Sequence, residues 1–151
     1  MMRFHKIIST CFGIGYVGKG GGTLAALATC IAWYFIFNHG NSTYLPLIVT
    51  IAITVLGIWS SHKVTGDWGK DPSKVVIDES AGMCISLLFL PVNIYYVAAG
   101  LVLFRFFDIV KPLFIRNMEN LPGGWGIMFD DVLAGIYSNL ILQGILYLKL
   151  F

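Results

Sequence analysis

Only alternate connections between the apolar runs of this chain carry formal charge, and no feature constrains its fold more. The apolar runs extend from about Thr23 to Phe37, from Tyr44 to Trp59, from Ala81 to Leu90, from Ile94 to about Ile109, and from near Ile127 to the C-terminus. Arg3, Lys6 and Lys19 precede the first run, and Lys63, Lys70 and Lys74 lie between the second and third. Arg105, Lys111 and Arg116 cluster where the fourth gives way to the fifth. The turns at 38–43 and 91–93 carry no formal charge. If each run is a helix and each connection reverses the chain, every charged connection falls at one end, with Lys149 alone at the other. Lys and Arg are retained on the cytoplasmic side of a bilayer, so that end is expected to be cytoplasmic.

Composition supports a lipid environment. The chain is 57% hydrophobic and 12% charged, against about 25% charged in soluble domains. The expected fold is all-α: an integral membrane bundle of about four to five apolar helices with charged loops on the cytoplasmic face. No polar linker or repeat divides residues 1–151, so a single domain is expected. Several runs are shorter than the ~20 residues a spanning helix needs, which predicts tilting, extension through polar turns or partial insertion. The segment Met1–Lys6 has a basic flank but no long apolar core before Gly13, so it reads as a short amphipathic stretch on the membrane surface. A net charge of +2 argues against nucleic acid as a partner. Cys11, Cys30 and Cys84 lack metal-ligand spacing and read as packing residues.

All eight acidic residues fall between Asp67 and Asp131, beside sequence apolar enough for lipid. A carboxylate near hydrocarbon costs roughly 2.5–3.5 kcal/mol on insertion scales, so several together imply a shared partner, most simply a divalent metal. Asp78 and Glu79 stand where an apolar helix begins, and Asp130 and Asp131 are expected in the first turn of the last helix. A cap and a dipole contact would account for one such pair, but two pairs favour metal ligation. Ala134 and Gly135 would let another helix approach closely and bring the pairs together. Arg105, Asp108 and Lys111 share a helix face; they form either an intrahelical ion pair or a further ligand flanked by phosphate-holding cations. The run Gly13 to Thr23 is neither a Walker A loop nor a Rossmann turn, and serves either as an anion cradle or as a flexible entry to the membrane. His5, His39 and His62 lack paired-ligand spacing, and no GxSxG is present, which weighs against serine hydrolases and histidine-dependent phosphatases.

Three ordered blocks carry a resemblance: Asp71-Pro72 through Asp78-Glu79 to Gly82; Phe104-Arg105-Phe106-Phe107-Asp108-Ile109 with Lys111-Pro112; and Gly123-Gly124 through Asp130-Asp131-Val132 to Ala134-Gly135. In these the chain resembles the phosphatidylglycerophosphatase A family of bacteria. The resemblance implies an all-α enzyme of the inner (cytoplasmic) membrane, multi-pass, with its active site facing the cytoplasm. It implies magnesium-dependent hydrolysis of phosphatidylglycerophosphate to phosphatidylglycerol and inorganic phosphate.

Within that resemblance Asp78, Glu79, Asp130 and Asp131 are the expected Mg²⁺ ligands, and Asp108 completes the catalytic set as a ligand or a neighbour of one. Arg105, Lys111 and Lys70 would neutralise charge on the phosphoryl oxygens, and Thr23 is a further phosphate-binding candidate. Direct attack by water and an aspartyl-phosphate intermediate both fit this set. The rival readings are a small membrane cation transporter or channel, which would place its acids at mid-helix, and a helical assembly subunit without hydrolytic activity.

Overall fold

The computed structural model describes residues 1–40 and 42–150. They form seven α-helices and no strand: α1 (Met2–Ser9), α2 (Gly21–Phe37), α3 (Tyr44–Trp68), α4 (Ile77–Leu87), α5 (Ile94–Val110), α6 (Ile115–Met118) and α7 (Gly124–Tyr147). A 3-10 turn at Ile14–Val17 links α1 to α2. The fold is all-α, as expected. Asn41 of the expected polar turn and Phe151 at the expected end of the last helix lie outside the described residues.

Two helix boundaries differ from the sequence reading in ways that matter. The second run continues to Trp68 rather than stopping near Trp59, so much of the charged connection is helical. Its polar residues are used in packing: Ser60 and Ser61 are buried beside the core residue Val64, and Asp67 pairs with Lys6 of α1 at 2.7 Å. Helix α1 is held along the same surface by its buried His5, whose Nδ1 lies 3.2 Å from Ser60 Oγ. The last helix begins at Gly124, not Ile127, which moves Asp130 and Asp131 out of the first turn. The early start depends on glycine: a Cβ at Gly124 would lie 2.2 Å from the Ile58 carbonyl oxygen, and one at Gly126 would lie 2.3 Å from that of Leu121. Gly123, with φ +58°, supplies the left-handed turn in front of them.

Helix α4 has only 11 residues, yet its end is satisfied inside the protein. Asn139 of α7 donates to the carbonyls of Ser86 and Leu88 at 3.0 and 2.9 Å, and Gln143 donates to Leu88 at 3.3 Å. Carbonyls orphaned at a helix C-terminus therefore find partners without water, which is how an apolar run this short ends within the bundle.

These contacts also fix direction. Asp131 and Asn139 of α7 lie beside Gly82 and Ser86 of α4, so the two helices run parallel from a common end. Helix α2 runs the same way, with Gly22 against Glu79 and with Trp33 and Phe37 in one core with Leu87. Helices α3 and α5 return antiparallel: Gly57 packs on Met128, and Phe104 on Gly82. The core centres on α4, where Ala81, Met83, Cys84 and Leu87 are buried against α2, α5 and α7. Cys30 and Cys84 are packing residues there, and all three cysteines are free thiols.

Among the described residues α3 is the one helix long and apolar enough to cross a membrane, and α2 is a shorter apolar helix.

Candidate active site

The parallel arrangement brings the N-terminal turns of α4 and α7 to one end, and two glycines set how closely they meet. A Cβ at Gly82 would lie 2.6 Å from the Asp131 carbonyl oxygen, and one at Gly135 would lie 2.4 Å from that of Gly82. Backbone therefore meets backbone at the crossing, as the small residues at 134–135 predicted. One carboxylate oxygen from each of Asp78, Glu79 and Asp131 falls within a sphere of mutual distance 4.8 Å.

Capping does not account for these acids. The N-cap of α4 is Val76, with no side-chain cap bond, and Asp130 and Asp131 stand beyond the first turn of α7. Asp78 Oδ1 and Glu79 Oε2 are buried without a hydrogen-bond partner. Asp131 is 2% exposed, with the carboxylates of Asp108, Glu79 and Asp130 around it. Buried carboxylate oxygens that lack donors and face one another are costly unless a cation joins them. The residues fit such an ion: the donors are all oxygens, which hard divalent cations prefer, and oxygens bound at 2.0–2.6 Å across an ion lie ~4–5 Å apart.

The remaining acids are paired. Arg105 and Asp108 form an ion pair one turn apart on α5. Lys111 Nζ lies 2.6 Å from both Asp130 Oδ2 and Glu119 Oε1, and the other Asp130 oxygen accepts the Asp131 N–H at 2.9 Å. Burial would lower the Lys111 ammonium, but the hydrogen bonds to Asp130 and Glu119 outweigh it and hold the pKa above its usual range. Lys111 reaches this position from a strained turn: Lys111, Leu113 and Phe114 all have positive φ, at 50°, 50° and 66°. Arg105 Nε has no partner, and Lys111 keeps one of its three ammonium protons unspent.

The structure thus gathers Asp78, Glu79, Asp108, Asp130, Asp131, Arg105 and Lys111 at one end. Lys70 is exposed in the α3–α4 connection and lines a cavity that reaches Asp130. Thr23 is exposed on the first turn of α2, one residue from Gly22. The glycine run has a packing role the sequence did not reveal. A Cβ at Gly15 would lie 1.9 Å from the Lys74 carbonyl oxygen, and one at Gly22 would lie 2.0 Å from Glu79 Oε1. Glu119 was also missed; its only sequence signal is an acid shortly after a cluster of cations.

An all-α fold that gathers carboxylates able to hold a metal ion beside fixed cations is of a class suited to metal-assisted chemistry on a phosphate. Residues 7–146 match the family model described as Phosphatidylglycerophosphatase A, and the chain belongs to that family. It is 38% identical over 149 residues to phosphatidylglycerophosphatase A of Escherichia coli, covering 93% of this chain and 80% of that one. It is 36% identical over 144 residues to the protein of the same name in Haemophilus influenzae, covering 93% and 88%. It is also 44% identical over 142 residues to a Bacteroides thetaiotaomicron protein provisionally named phosphatidylinositol-3-phosphatase, covering 90% and 89%. No solved structure matches.

Proposed function

We propose that this protein is a magnesium-dependent lipid phosphatase that hydrolyses phosphatidylglycerophosphate to phosphatidylglycerol and inorganic phosphate. The observation that carries the reading is the trio Asp78, Glu79 and Asp131, two of whose buried oxygens, one on Asp78 and one on Glu79, lack donors and stand beside fixed cations. Family membership supplies the substrate.

Asp78, Glu79 and Asp131 would hold the ion, with Asp130 as a neighbouring carboxylate tied to Lys111. Magnesium bound there would neutralise charge on the phosphoryl oxygens and favour ionisation of a water. The chain's own residues do the rest. Lys111, kept protonated by Asp130 and Glu119, and Arg105, braced by Asp108, direct their unspent N–H groups at the phosphate. The N-termini of α2, α4 and α7 meet at this end, so their dipoles also favour an anion. Lys70 stands at the cavity mouth as a further cation, and Thr23 offers a hydroxyl nearby.

The protein is read as an integral bundle of the bacterial inner membrane with this end cytoplasmic. Large apolar side chains face outward along the helices, among them Phe35 and Ile36 on α2, Ile48 and Val55 on α3, and Val102 and Phe106 on α5. A soluble monomer rarely exposes so continuous an apolar surface. The substrate's acyl chains then lie among lipid while its phosphate meets the charged end.

A second reading, that the phosphate is removed from a phosphoinositide, is favoured by the 44% identity to the Bacteroides protein. Phosphate release by detergent-purified protein from phosphatidylglycerophosphate and from phosphatidylinositol 3-phosphate, with magnesium or with chelator, separates the two. Magnesium-dependent release from the first lipid is expected; release confined to the second would transfer the assignment, and release from neither would remove it.

A further inference from the structure

A cavity of about 580 Å³ opens beside the acid cluster and shares a wall with it through Asp130. Its size is that of a small-ligand site. Its lining adds Thr65, Asp71 and Asn120, to which the reaction chemistry gives no role, to Lys70, Glu119 and Asp130. Helix α3 contributes Thr65, the α3–α4 connection contributes Lys70 and Asp71, and the α6–α7 connection contributes Glu119 and Asn120.

Among the described residues, the side chains of Lys70, Asp71 and Asn120 have no hydrogen-bond or ion-pair partner, in contrast to Lys111 and Arg105 beside them. Thr65 spends its hydroxyl proton on the His62 carbonyl at 2.7 Å and keeps its oxygen free to accept. Asp71 is held with φ +54°, outside the comfortable range for a residue with a Cβ. The wall therefore offers one cation, a carboxylate and hydroxyl that accept, and an amide that does both. That set suits a hydroxylated linker next to an anionic phosphate. It is unlike the donor-only surface that a bare phosphate requires.

We infer that this cavity is the headgroup pocket, in which Asn120 and Asp71 bind the free hydroxyl of the polyol that carries the scissile phosphate, while Lys70 meets the phosphodiester on the lipid side. This rests on the lipid-phosphatase reading above. Glycerol and inositol headgroups share the hydroxyl chemistry, so the pocket selects for a hydroxylated headgroup over a phosphate attached directly to diacylglycerol. Asn120 and Asp71 are specificity-determining residues and have no part in breaking the P–O bond.

The test removes the hydroxyl from either partner. Initial rates are measured in detergent for phosphatidylglycerophosphate, for its analogue with a propanediol linker lacking the free hydroxyl, and for phosphatidylinositol 3-phosphate. The proteins are the wild type, Asn120→Ala and Asp71→Asn. In the wild type, deleting the hydroxyl is expected to lower kcat/KM about ten- to a hundredfold. In either variant the natural lipid falls by a similar factor and the deletion then costs less than about threefold, because the two losses are one interaction. A deletion penalty of equal size in wild type and both variants overturns the inference while leaving the phosphatase reading intact. A wild type inactive on all three lipids defeats the phosphatase reading instead. A phosphoinositide preferred over the glycerol lipid, with the preference lost in Asn120→Ala, retains the pocket and changes its natural occupant.

Discussion

The acidic end of this protein has two halves that differ in one respect, the presence of a protein cation. Asp78, Glu79 and Asp131 crowd within 4.8 Å of one another with two oxygens unpartnered. A few ångströms away Asp108, Asp130 and Glu119 are each tied to Arg105 or Lys111. Both halves lie at the same end of the bundle and meet on α7 through Asp130 and Asp131, so the difference is one of pairing and not of location. On the proposed reading, the carboxylates left without a cation bind the metal, and those given one are a scaffold that fixes the direction of Lys111 and Arg105.

The largest effect should come from breaking the unpaired half. Asp131→Asn or Asp78→Asn removes a ligand without changing volume, and phosphate release should fall at least ~10³-fold in a protein with unchanged helical circular dichroism. Next comes the crossing that assembles both halves. Gly135→Leu forces side-chain atoms into the Gly82 carbonyl, and displacing α7 by a fraction of an ångström should cost ~10²-fold in kcat/KM.

Breaking the paired half should do less to turnover and more to stability. Lys111→Met leaves Asp130 and Glu119 without their cation; activity should drop ~10–100-fold, with a loss of ~1–3 kcal/mol seen as a lower melting temperature. The smallest effect sharpens the contrast, because its sign is opposite. In metal-free protein Asp78→Asn removes a repulsive buried charge and should raise the melting temperature by a few degrees, about 1 kcal/mol for a chain of this size. If both substitutions lowered stability equally, the two halves would not differ as described.

Much of this end was legible in the sequence. The DE and DD pairs, Asp108, Arg105 and Lys111, which the structure gathers at one end, were all singled out from spacing, whereas Lys70 came from the family resemblance; the close crossing read from the small residues at 134–135 is made by Gly135. The Arg105–Asp108 ion pair is one of the two alternatives that spacing left open, and what sequence did not show was which acids Lys111 serves. Lys111 reaches Glu119 and Asp130, eight and nineteen residues away, through a turn built from positive-φ residues that carry no glycine signal. The start of α7 was misplaced because Gly123, Gly124 and Gly126 look like a loop, and only the backbone of α3 and the α6–α7 connection explains why Gly124 and Gly126 are helix. The extension of α3 was hidden for a similar reason. Ser60, Ser61 and Asp67 read as solvated until α1 is laid against them. The glycine stretch before α2 had been weighed as an anion cradle or a loose entry, and Gly22 turns out to make room for Glu79.

The most direct test is the binding of Mn²⁺, as a paramagnetic stand-in for magnesium, to detergent-purified protein, read by electron paramagnetic resonance for wild type, Asp78→Asn, Asp131→Asn and Lys111→Met. The account predicts saturable binding in wild type, its loss in the two aspartate variants, and its survival in Lys111→Met. Equal binding in all four proteins would contradict the assignment of Asp78, Glu79 and Asp131 as the cation site.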